Sequence, residues 1–190
     1  MSVRKRFFTS EIARKIKQDL INPNSDLDIL KTVAIGDLYL MPSPEELSHR
    51  DVALQYLPAV YIMPMKIENQ IVSPSKSISN GVYNFVLKYV HYIDANDTST
   101  VYEDALNNAG LIADTLLEDK NFEDQSISNA PNYIALYDSS GKAIGDILET
   151  KVDCISINEV DGEFFRSLNI PVIVAEIEYD VLFRSRHERS

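Results

Sequence analysis

The chain has no tryptophan, one cysteine, three histidines and six glycines among its 190 residues. A single cysteine forms neither an internal disulfide nor a cysteine-rich zinc site. The apolar neighbours of Cys154, namely Val152, Ile155 and Ile157, predict an inert, half-buried thiol. A reducing compartment fits that usage. His49, His91 and His187 stand far apart with unrelated flanks, so no paired-histidine zinc motif exists and each reads as a surface or half-buried side chain. Glycine poverty removes the phosphate-cradling motifs as well: Ser140-Gly141-Lys142, followed by Gly145, lacks the rest of a P-loop and reads as a plain turn. No apolar run approaches the roughly 18 residues that cross a bilayer. Arg4-Lys5-Arg6 is followed only by Phe7-Phe8 before polar residues return, so neither a signal peptide nor a membrane anchor is read. Without a secretory signal, the sequon Asn96-Asp97-Thr98 carries no weight.

What is present is ordinary globular composition, 45% hydrophobic and 25% charged. That excludes disorder and is enough chain for one sizeable core. We read residues 1–190 as a single domain, with 1–50 as an N-terminal extension or helical subregion. The net charge of −11 is unevenly spread: Met1 to Lys17 holds six Lys/Arg against one acid, and Arg184 to Ser190 three against one. The body between them holds 9 Lys/Arg against 27 Asp/Glu. An acidic body lacks the positive field that a nucleic-acid groove needs. Basic ends on such a body suit contact with an acidic neighbouring subunit.

Ser10 to Ile21 carries Ile12, Ile16 and Leu20 at helical spacing before the stop at Asn22-Pro23, which predicts an amphipathic, peripheral helix. Thr32 to Leu40 suggests a strand. Ser43-Pro44-Glu45-Glu46 has capping-box form and predicts a short helix ending before Pro58. Ala59 to Ile67 is a strand that Pro64 demotes to an edge or a bulge. A long Ser/Pro/Gly-containing loop, Val72 to Gly81, joins it to Val82–Ile93, apolar on both faces and therefore central. Thr100 and Glu103 form a capping box for a helix to Glu118, whose stripe is Val101, Ala105, Ala109, Ile112 and Leu116. Asp138-Ser139-Ser140-Gly141 is a hairpin turn between strands Pro131–Tyr137 and Lys142–Leu148, and Lys151–Asn158 reads as a further strand. The last strand, Ile170 to Phe183, splits by parity. Ile173, Ala175, Ile177, Tyr179, Val181 and Phe183 form a buried face, and Glu176, Glu178 and Asp180 line the other. The fold class is α+β: a largely antiparallel sheet, a long helix packed across it and an N-terminal helix. Phe85, Leu87, Ile112, Leu116, Ile173, Ile177 and Val181 are the expected core.

Chemistry is sparse. There is no nucleophile elbow, and no catalytic, cofactor-binding or metal residues are assigned. The row Glu176, Glu178, Asp180 places carboxylates about 7 Å apart on one face. It has no cation near it in sequence, so it is expected to face water, a lumen, a metal or a basic neighbour. Arg4, Lys5, Arg6, Arg184 and Arg186 of an adjoining subunit are the expected partners. Ten tyrosines are the unusual abundance. Tyr56, Tyr61, Tyr83, Tyr89, Tyr92, Tyr133, Tyr137 and Tyr179 lie on or beside predicted strands, most packing within the sheet and the remainder suiting a subunit contact.

The order of elements from Asp51 to Phe183 resembles the tail terminator, or tail completion (neck), proteins of long-tailed bacteriophages. The resemblance rests on the Tyr61–Ile93 hairpin with its long loop, the capped helix Thr100–Glu118, the strand Val152-Asp153-Cys154-Ile155-Ser156-Ile157, and the closing strand Val172–Phe183 with its Glu-x-Glu-x-Asp row. It implies a structural virion protein, not an enzyme, made in the host cytoplasm and without cofactors. Such proteins form a homohexameric ring that stops tail-tube growth and joins tail to head. The implied partners are further copies of itself, the tail-tube protein, the head-tail connector or neck protein and, in a contractile tail, the sheath. DNA only passes through the lumen, past like charge, and no membrane is involved. The Met1–Arg50 extension equally suits a contractile-tail terminator or another neck-ring protein, such as a tail completion or head-tail adaptor protein. A non-viral binding or assembly module, and a small hydrolase, are the competing readings from other classes.

Overall fold

Thr9–Ile21 (α1) turns Ile12, Ala13, Ile16 and Leu20 to one side, and the Ile12 N–H closes its first turn on the Phe8 carbonyl at 3.0 Å. Those four residues are buried in the main core, so the helix is not peripheral as its amphipathic pattern suggests. In the computed structural model, residues 7–21, 27, 29–36, 55–70, 80–93, 100–118, 134–159, 161–163 and 170–185 are described. Of the helix predicted between Ser43 and Pro58 only the end is described, with Gln55 and Tyr56 helical; its start and residues 72–79 lie outside the described residues. So do Arg4, Lys5, Arg6, Arg186, His49, His187 and Tyr133.

The remaining elements are Thr32–Ile35 (β1), Ala59–Gln70 (β2), Asn80–Tyr92 (β3), Val101–Glu118 (α2), Ile134–Tyr137 (β4), Ala143–Ile157 (β5) and Val172–Ser185 (β6). The molecule is α+β, with a six-stranded sheet in the order β1-β2-β3-β6-β5-β4. Four of its neighbour pairs are antiparallel, and β1 runs parallel to β2. β3 is central, as its apolar residues on both faces require.

Proline and bulges shape both margins. Pro64 cannot donate to a ladder, and the β2–β3 register shifts between Pro64 and Lys66. β1 reaches only as far as Ile62, so beyond it β2 has no second strand partner among the described residues. An exposed Lys66 and the bulge blunt that edge. On the far side, the two strands expected at Lys142–Leu148 and Lys151–Asn158 are one 15-residue strand, β5. Its irregularities at Ile147/Glu149 and Val152/Cys154 explain the broken pattern. Val152 and Ile155, three residues apart, cannot share a face of a regular strand. The extra residue at Asp153 lets them pair with Tyr179 and Ile177 on the core side.

The turn at Asp138 closes as read. Its Oδ1 accepts from the Ser140 and Lys142 N–H groups at 2.9 and 3.1 Å, and Gly141 takes φ +79°, which glycine adopts at little cost. At Thr100 the helix start departs from the expected box: the hydroxyl donates to Asp104 at 2.8 Å, one residue beyond Glu103. All seven expected core residues are buried. Ala109, Ile112 and Leu116 share one apolar cluster with α1, with Tyr83, Phe85, Leu87 and Tyr89 of β3 and with Ala175, Ile177, Tyr179, Val181 and Phe183 of β6, while Ile173 packs with Val101 and Ala105.

Candidate functional site

The two faces of the sheet carry different chemistry. One is the core face. The other carries a smaller buried cluster that includes Tyr61, Val90, Val172 and Val174 and, beyond it, the carboxylate row, where register decides what stands beside each acid.

Across β2-β3-β6-β5, Tyr61, Lys88, Glu176 and Ser156 fall in one row. The Lys88 ammonium, 9% exposed, pairs with Asp161 and lies 3.5 Å from Glu176. Asp161 comes from the short turn after β5, where its N–H donates to Asn158 Oδ1 at 2.9 Å. A buried ion pair is costly to break, because either charge left behind has lost its water. Lys88 thus pins the 158–163 turn onto this face. Tyr61 is 4% exposed with no protein partner for its hydroxyl among the described residues, and burial raises its pKa well above the usual phenol range.

One row along, Val86 stands beside Glu178, and Glu178 beside the exposed Cys154. The thiol is therefore not half-buried as its apolar neighbours suggest. The bulge at Asp153 sends Val152 and Ile155 to the core face and leaves Cys154 on the other. In the next row Asn84, Asp180 and Lys151 align. Asn84 Nδ2 donates to Asp180 Oδ1 at 2.5 Å, and Lys151 pairs with Asp153. Partial burial raises the Asp180 pKa, opposed by the Asn84 bond. Lys151 holds the exposed Asp153 carboxyl below its usual value.

No cation stands near the row in sequence, but two stand beside it in the sheet. Lys88 and Lys151 are remote in sequence, yet pairing of β3 and β5 with β6 puts each directly beside an acid of the row. Arg184, expected to reach a neighbouring subunit, pairs within its own chain with the buried Asp146 at 3.2 Å. Parity along β6 was legible in the sequence; the lysines were not, because strand order decides which remote residue stands next to which.

Among the described residues no three His, Cys, Asp or Glu side chains converge in a metal-holding group. No described helix is long and apolar enough to cross a membrane. On the core face, His91 is half-buried and its Nδ1 lies 2.9 Å from the Tyr89 hydroxyl, which accepts from Asn108 Nδ2 at 3.1 Å. Burial lowers the His91 pKa and pushes Tyr89 up to about 12.

At the end of the sheet where β3 and β5 finish and β6 begins, an open depression of about 120 Å³ is lined by Ile93, Tyr102, Ile157, Glu159, Pro171 and Ile173, among others. Its wall is mainly apolar, with a carboxylate at the rim. It offers a seat for an apolar group rather than a set of reacting side chains.

No protein-family model matches the chain, and no curated protein matches it.

Proposed function

We propose that this chain is a structural virion protein that forms a ring at the head-proximal end of a phage tail, ends tail-tube growth and joins the tail to the head connector. The observation that carries the reading is the order of elements after Ala59: a long-loop hairpin β2–β3, the capped helix α2, a hairpin leading into the long β5, and the closing strand β6 with its alternating acids. In this reading α2 is the helix laid across the sheet. Support comes from its buried stripe in the common core and from the Tyr179 hydroxyl donating to the Leu116 carbonyl at 3.4 Å.

The uncovered part of the second face, with Glu178 and Asp180, then belongs to the lumen or to a subunit contact. A predominantly acidic surface suits a passage for DNA because like charge prevents sticking. Virion placement follows from the same reading, with the tail tube and the neck as neighbours.

The test is genetic and visual. Inactivating the encoding gene in a tailed phage is expected to give headless tails of irregular length in negative-stain images, reversed by supplying the chain in trans. Particles with normal, joined tails in its absence would remove this reading.

A further inference from the structure

The topology gathers opposite chemistry at the two ends of the strands. At one end, the Phe8 N–H donates to the Tyr83 hydroxyl at 3.4 Å and the Phe8 ring lies 5.1 Å from that of Phe183. The described chain begins at Phe7 and β6 finishes at Ser185, and the sequence beyond these two residues carries Arg4, Lys5, Arg6, Arg186 and Arg189 against Glu188 as its only acid. Phe7, the first described residue, is 55% exposed although its neighbour Phe8 is buried. A large apolar ring beside three consecutive cations is held in water.

At the other end lies the depression between Ile93, Tyr102, Ile157 and Pro171. Tyr102 on its rim is 60% exposed. Glu159 lies in the wall, and Glu103 and Asp104 follow Tyr102 in the first turn of α2 without lining the depression themselves. Its volume of about 120 Å³ is close to that of cavities known to take one benzene-sized ring.

We infer that Phe7 of one copy seats in this depression on a second copy, with the Arg4-Lys5-Arg6 segment beside Glu103, Asp104 and Glu159. The occupant cannot be the chain's own Phe7. Ten residues of β3 separate Tyr83 at the basic end from Ile93 at the depression, about 33 Å at strand rise. A second copy supplies both the ring and the charge sign that the depression asks for. An aromatic anchor entering an apolar pocket with complementary charges around it is the arrangement that concentrates binding energy. Because anchor and socket sit at opposite ends, the contact repeats head to tail and closes only by rotation. The inference stands on the two ends of the sheet and is independent of the virion reading.

The experiment follows self-association of the full chain by sedimentation and light scattering, alongside photocrosslinking. Phe7→Ala and Tyr102→Ala are each expected to weaken association about tenfold or more. Raising NaCl from about 50 to about 500 mM should weaken the wild type too, since the flanking charges are screened. Tyr137→Ala, at an equally exposed tyrosine on β4, should leave it unchanged. Circular dichroism controls for folding, which neither exposed side chain should affect. With p-benzoylphenylalanine in place of Phe7, the crosslinked peptide is expected to contain Tyr102 of another copy. A chain that stays monomeric at about 100 µM, association indifferent to Phe7→Ala, or crosslinks only elsewhere would overturn it. So would a basic end that binds duplex DNA while Phe7→Ala leaves self-association untouched. Loss of the contact with the chain still present in particles refutes only the contact. The contact in a chain never found in particles refutes only the virion reading.

Discussion

Lys88 and His91 lie three residues apart on β3 and face opposite sides of the sheet, and each makes a separate demand on stability. The Lys88 ammonium is enclosed with Asp161 and Glu176. Lys88→Met leaves Asp161, 5% exposed, without that counter-charge, and should lower unfolding free energy by on the order of 3 kcal/mol in urea titration. Adding Asp161→Asn should recover part of the loss, because the orphaned charge is then gone. His91 is held below its ordinary value of 6.5 by burial, with Asp104 opposing and the Tyr89 hydroxyl as its hydrogen-bond partner. The unfolded chain therefore binds the proton more readily than the folded one. The stability His91 contributes is present above pH 6.5 and is lost as pH falls below it toward the depressed folded value. His91→Gln should flatten the dependence of melting temperature on pH in that window.

At the scale of elements, α2 and the β5–β6 pair carry sharp tests. Leu116 is 2% exposed and sits in the main cluster. Leu116→Ala should cost on the order of 2 to 5 kcal/mol, the spread reflecting how far the site collapses around the cavity, and denaturant titration reads it directly. Gly145 opposes Ser185 on β6 and Leu136 on β4. A Cβ there would run into the Phe183 ring and the Arg184 carbonyl. The ring can swing but the backbone cannot, so Gly145→Ala should destabilise by about 1 to 3 kcal/mol, as overpacking does, measurable as a lower melting temperature. The same methyl added at Gly110 meets open space on α2. Gly110→Ala should therefore be neutral or slightly stabilising, which makes it the natural control.

The whole molecule unites elements that look separable along the chain. Residues 1–50 read as an extension or helical subregion of the single domain, and α1 places Ile12, Ala13, Ile16 and Leu20 in the same cluster as α2 and the centre of the sheet. Ile16→Ala should accordingly lower the stability of the entire fold. Far-UV and near-UV circular dichroism are expected to report one coincident, earlier transition; a frayed helix on an otherwise unchanged sheet would separate them. The same cluster explains why three tyrosines of the sheet, Tyr83, Tyr89 and Tyr179, are buried while Tyr102 and Tyr137 remain exposed. Side-chain chemistry is common to all of them, and position in the fold separates them.

Periodicity was enough to place α1, the stripe of α2, the parity of β6 and the turn at Asp138, because each is a local relation between residues a few positions apart. Pro64 announced an irregular strand for the same reason: a missing N–H acts on its own ladder. The continuity of β5 was hidden because its bulges change the phase of the pattern, and phase is all that a sequence displays. Cys154 misled in the same way, since one inserted residue at Asp153 reverses which side chains face the core. The partners of the carboxylates were beyond any local reading. Lys88 meets Glu176, and Lys151 meets Asp180, only because β3 and β5 flank β6 in the sheet. Strand order is set by how the apolar faces of all the elements are buried together, and that is a property of the tertiary structure.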